Sequence, residues 1–144
     1  MADLFSIETA GYLSRPVVKP TAPSYGARRR RYRATITLAT QTTSDNIFLA
    51  RIPAGSVIEV GMITASVSLG SAVVAIGTNK VHASNGQYRA AAVFTAVETP
   101  TPFGLTATLS GAALTADTDV YLTIATASLP ASGTLVIDLN CSNG

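Results

Sequence analysis

Residues 120–141 read VYLTIATASLPASGTLVIDLNC. Val120, Leu122 and Ile124 alternate with Tyr121, Thr123 and Ala125. After LPASG, Leu135, Ile137, Leu139 and Cys141 alternate with Thr134, Val136, Asp138 and Asn140. A period of two puts one apolar face on each of two strands, and Leu129-Pro130-Ala131-Ser132-Gly133 is the turn between them. Working backward along the chain, the same grammar recurs. Ala34, Ile36 and Leu38 alternate with Thr35, Thr37 and Ala39. Ile47–Ile52 is almost continuously apolar and reads as a strand buried on both faces. Ser56–Val67 begins with Ile58, Val60 and Met62 on one face, then slips phase to Ile63, Ala65 and Val67, with Gly61 marking a bulge. Ala72–Ile76 and Leu105–Leu109 are shorter runs. Seven or eight short strands at intervals of roughly ten residues predict an all-β fold, an antiparallel β-sandwich or jelly roll, over residues 34–144. Gln87–Thr95 (QYRAAAVFT) has three consecutive alanines and no period of two, and reads as one short helical turn in a crossover closed by Pro100 and Pro102.

Composition supports this reading. The chain has 144 residues, the size of one domain, with 47% apolar and 12% charged residues. That is too apolar for a disordered chain, and no apolar run of 18 suggests a membrane span. One cysteine, Cys141, precludes an internal disulfide, which fits synthesis in a reducing cytoplasm. Asp3 and Glu8 lie where a secretion signal needs bases.

Charge is unevenly placed. Residues 1–33 carry seven bases and two acids (+5), while residues 34–144 carry three bases and six acids (−3). Pro16, Pro20 and Pro23 make residues 1–33 read as an extended N-terminal arm. Its apolar anchors include Phe5, Tyr12 and Tyr25. Its basic run is Arg28, Arg29, Arg30, Arg31 and Arg33. Five arginines in six positions can pair with carboxylates of a partner protein or neutralise phosphates; a solvated charge run is the bland alternative. A protein partner is the favoured reading over nucleic acid.

No catalytic constellation emerges. His82 is the only histidine, and its neighbours Lys80, Ser84, Asn85 and Gly86 make it read as an exposed loop residue. Cys141 falls on the apolar face of a strand, where a buried thiol is inert. Asp117 and Asp119 flank Thr118 at the start of a strand, without the further oxygens a calcium site needs. No zinc spacing or phosphate loop occurs. The expectation is a non-enzymatic protein without cofactor or metal.

Several phrases together carry a resemblance: ATITLAT (Ala34–Thr40), IFLARIPAGSVIEVGMITAS (Ile47–Ser66), SAVVAIGTN (Ser71–Asn79), YRAAAVFTAVETPTPFGL (Tyr88–Leu105) and ALTADTDVYLTIATASLPASGTLVIDL (Ala113–Leu139). In style and order they resemble the capsid decoration (cement, or head-stabilising) proteins of tailed bacteriophages, over residues 34–140. The resemblance implies a jelly-roll-like body, a homotrimer on the outside of the virion, and major capsid protein as partner. The arm, through its arginines and Phe5, Tyr12 and Tyr25, would be the capsid-binding element. The alternatives are a small coat protein whose arginine arm binds the packaged genome, and a head–tail joining, tail or spike component.

Overall fold

A computed structural model describes residues 28–104 and 111–143. Eight strands follow one another: β1 (Arg28–Thr37), β2 (Asn46–Ile52), β3 (Val57–Ala65), β4 (Val73–Gly77), β5 (Arg89–Val93), β6 (Thr101–Phe103), β7 (Thr118–Ala125) and β8 (Thr134–Asn143). They form two four-stranded sheets, in the orders β1-β8-β3-β6 and β2-β7-β4-β5, with every pair antiparallel. Strand one pairs with eight, two with seven, three with six and four with five. This is a long antiparallel ribbon rolled into a sandwich, the jelly-roll topology. The LPASG turn therefore carries the chain from one sheet to the other, and β7 and β8 face each other across the core.

The alternation read at residues 120–141 is the alternation of burial. Val120, Leu122, Ile124, Leu135, Ile137, Leu139 and Cys141 are all buried, packed with Ile63, Val74 and Ile76 from the neighbouring strands. Each such side chain contributes about 1.5–3 kcal/mol by leaving water.

Five expectations are corrected. The strand containing ATIT starts by Arg28, so residues 28–33 belong to the sandwich and not to an extended arm. Gln87–Thr95 is not helical. It contains edge strand β5, in which Ala90 and Ala91 together oppose Ala75. An extra residue breaks the period of two, and this, not helicity, is the origin of the odd pattern. The short 3-10 turn lies earlier, at His82–Ser84. β2 is an edge strand and not a doubly buried one: Phe48 is 52% exposed, and Leu49 is the extra residue of a bulge. In β3 the phase slips at Glu59, between Ile58 and Val60, so Val60 and Met62 point away from the core. Pro102, expected to close a crossover, sits inside the three-residue edge strand β6, where a missing N–H is tolerated. The run Leu105–Leu109 and the greater part of the arm lie outside the described residues.

The two ends of the sandwich differ. At one, the loop after β1 is hydrogen-bonded to the loop before β8, through Leu38 N to Gly133 O and Thr40 N to Pro130 O. Thr40, Glu98 and Thr126, each in a loop at this end, have positive φ, a tight-turn conformation that costs a threonine free energy. At the other end, Gly55 and Ser56 bond to Leu114. This is also the end from which β1 begins, with Arg28 opposite Asn143.

Candidate functional site

The arginine run is half of an edge strand. Arg28 and Arg30 are in phase with Tyr32, Ala34 and Ile36, whose later members pack on the core, but the strand has run past the core and both arginines are exposed. Arg29, Arg31 and Arg33 share the outer face of the first sheet. All ten residues of β1 pair in unbroken register with β8.

The five arginines are not equivalent. Arg33 sits opposite Asp138 and grips it with two parallel hydrogen bonds, Nε to Oδ1 at 2.8 Å and Nη2 to Oδ2 at 2.9 Å. These bonds hold the Asp138 carboxyl below the usual carboxylate range. Arg29 reaches across β8 to the bulge residue of β3, with Nε 2.9 Å from Glu59 Oε2. That oxygen is shielded from solvent and has ion-pair contact without hydrogen-bond alignment. The β3 bulge is what presents Glu59 on this face. Thus two arginines fasten β1 to its own sheet. Arg28, Arg30 and Arg31 make no ion pair within the described residues. Arg31 adds only a longer-range attraction to Asp138. Phe5, Tyr12 and Tyr25 lie outside the described residues.

Sequence reading could see the arginines but not their division. Asp138 and Glu59 are distant in sequence, and only the register of β1-β8-β3 brings them together.

The outer face of the second sheet carries a surface that the sequence did not reveal. Phe48 and Tyr121 meet edge to face, with centroids 5.7 Å apart, and Lys80 Nζ lies 5.3 Å from the Tyr121 ring centre. Arg51 holds Asp119 through Nε to Oδ1 at 2.6 Å and Nη2 to Oδ2 at 3.0 Å, which keeps Asp119 below the usual carboxylate range. Asp117 accepts from the Ala54 N–H. Both aspartates are therefore committed to the fold.

The segment between β4 and β5 folds back over this sheet. Asn85 Nδ2 donates toward Ala75 O, Tyr121 O and Thr123 Oγ1 at 3.0–3.2 Å. His82 Nδ1 lies 3.0 Å from the same Thr123 hydroxyl. Thr123 is buried, so His82 is a half-buried clamp and not the exposed loop histidine its sequence context suggested. Cys141 is buried, and burial followed by the nearby Glu59 pushes its thiol up to about 11. Such a thiol is a poor nucleophile at neutral pH. Among the described residues no group of three His, Cys, Asp or Glu side chains is placed to hold a metal ion, and no helix is long and apolar enough to cross a membrane.

The fold and this surface define a jelly-roll protein with an arginine-lined sheet edge. Among known proteins, no family model matches the sequence, and no curated protein matches it. Solved structures do match the fold. A chain of the structure "Cyanophage Pam1 capsid asymmetric unit" is similar at TM-score 0.63 and 14% identity, over 83% of this chain and 88% of that one. A chain of "Capsid of Ralstonia phage GP4" is similar at TM-score 0.62 and 14% identity, over 84% and 86%. A chain of "Acidic stable capsid structure of Helicobacter pylori bacteriophage KHP30" is similar at TM-score 0.56 and 11% identity, over 79% and 86%.

Proposed function

We propose that the protein is a structural protein of a bacteriophage virion, without enzymatic activity, and specifically a decoration protein. It would bind the outside of the major capsid shell and stabilise it as a homotrimer, after synthesis in the host bacterial cytoplasm. The observation that carries this reading is the reciprocal fold match to chains of three phage capsid structures. Because each match covers 79–84% of this chain and 86–88% of the other, those chains are of about this chain's length. They resemble this molecule as whole small proteins and not as one domain of a large shell subunit.

The residues are compatible with that role. Charged side chains on the two sheet faces are mostly paired internally, and among the described residues three arginines without an ion pair cluster at one end of β1. Arg28, Arg30 and Arg31 are the members of the run with charge to offer a partner. Residues 1–27, with Phe5, Tyr12 and Tyr25, would continue the attachment onto a neighbouring capsomer, adding effective concentration to a local contact.

The test is attachment of the full-length protein to shells assembled without it, scored by cosedimentation and by electron microscopy. The wild type is expected to saturate sites on the exterior. The variant R28E/R30E/R31E is expected to lose at least tenfold in affinity. Light scattering of the free protein is expected to give about three times 14.8 kDa. Absence of attachment, or incorporation only together with the genome, would overturn the proposal. A truncation meant to remove the arm has to stop before Arg28, since residues 28–33 are part of the sandwich.

A further inference from the structure

An antiparallel sandwich has four strands whose outer backbone groups lack a neighbour, and each is a template for another chain unless it is blocked. Here three are blocked by shape. β2 is bulged at Leu49. β5 has an extra residue between Arg89 and Ala92, and the Arg89 guanidinium is drawn onto the carbonyls of Val74, Ala92 and Val93. β6 has three residues, one of them Pro102. β1 has none of these devices. It is ten residues long, contains no proline, and keeps its register throughout. Two ion pairs, Arg29–Glu59 and Arg33–Asp138, hold it flat against its sheet. Among the described residues, what protects it is charge.

Protection by charge is selective in a way that protection by shape is not. A second β1 edge laid alongside with the N-terminal halves overlapping would set arginine against arginine, and like charges opposite one another are destabilising. An extended segment bearing carboxylates meets the reverse situation. Arg28 and Arg30 lie on one side of the strand, about 7 Å apart at the usual rise per residue, with Arg31 on the other. A partner strand with acids at alternate positions places them at the same spacing while its backbone completes the ladder.

We infer that the edge of β1, unpaired among the described residues, is a docking site for an acidic extended segment of a partner protein, bound by strand addition with its carboxylates on Arg28 and Arg30. This rests on the reading of the molecule as a binding component of a larger assembly, and it names the chemistry and the mode of that contact.

The probe is a ten-residue peptide of alternating glutamate and threonine, titrated into the full-length protein and followed by backbone amide signals and amide exchange. Specific binding is expected, with new exchange protection confined to β1. The same peptide N-methylated at alternate residues keeps its charge but cannot complete a ladder, and is expected to bind at least tenfold more weakly. R28E/R30E is expected to lose the glutamate peptide and to gain a lysine–threonine peptide of equal length, which separates loss of charge from loss of fold. Equal binding of the N-methylated peptide, no binding of either, or tighter binding of a single-stranded oligonucleotide would each overturn the inference. The two readings fail separately. Shell attachment without peptide binding removes strand addition and leaves the decoration role. Peptide binding without shell attachment does the opposite.

Discussion

Arg89 turns its guanidinium back across its own strand, donating Nη1 to Val74 O at 2.6 Å and to Ala92 O at 3.2 Å, and Nη2 to Val93 O at 3.2 Å. Its half-buried position lowers the guanidinium's pKa by desolvation, and the three carbonyls compensate for the lost water. Arg89→Met keeps the stem and orphans those oxygens. It is expected to destabilise the fold by about 1–3 kcal/mol, read from urea denaturation. Asp138 gives a pH-dependent counterpart. Its carboxyl, hydrogen-bonded to Arg33, titrates below its unfolded value. The contribution is therefore present above the unfolded value of about 3.9 and is lost as pH falls through the lower folded one. Asp138→Asn is expected to lower the melting temperature at pH 7, and the gap from wild type is expected to close as pH falls below about 4, within the usual carboxylate range. Neither role was legible in the sequence, because each depends on partners that only strand register supplies. The burial of Cys141 was legible, since a period of two needs no distant partner.

Elements were legible where their faces were regular. β7 and β8 follow their alternation residue by residue, because both lie inside their sheets with one face on the core. Edge strands were not. β2, β5 and β6 carry bulges, alanines or a proline, features that serve to spoil an edge and that also spoil the sequence signal for a strand. β3 shows how a slip is accommodated: beyond its bulge, Gly61 faces Phe103 of β6 across the ladder, and the aromatic ring occupies the space a Cβ would need. Gly61→Val would force that ring off the core. The expected result is at least tenfold faster amide exchange at Thr101 and Phe103, with β1, β8 and β3 still protected, and a loss of about 1–3 kcal/mol from overpacking.

At the scale of the whole molecule, the sandwich class followed from counting strands, while the jelly-roll order did not. Which strand crosses to which sheet is decided by long-range pairing, with one opposite eight and two opposite seven, that no local pattern encodes. The core that results is a single cluster shared by both sheets. Leu122 lies fully buried at its centre, and Leu122→Ala is expected to cost about 2–5 kcal/mol in one cooperative transition, with no separate melting of either sheet. The division of the arginine run is likewise a whole-molecule property: the same five residues are partly fasteners and partly surface, according to what the neighbouring strands place beneath them.

The unbroken ladder between β1 and β8 has a mechanical consequence. A tether attached ahead of Arg28 and pulled along the strand, against a body held at its tight-turn end, loads all ten residue pairs in shear, so they must fail together. The same tether pulled sideways would peel them one pair at a time, beginning at Arg28 and Asn143. Single-molecule pulling in the two geometries should therefore give a high rupture force along the strand and a low one across it.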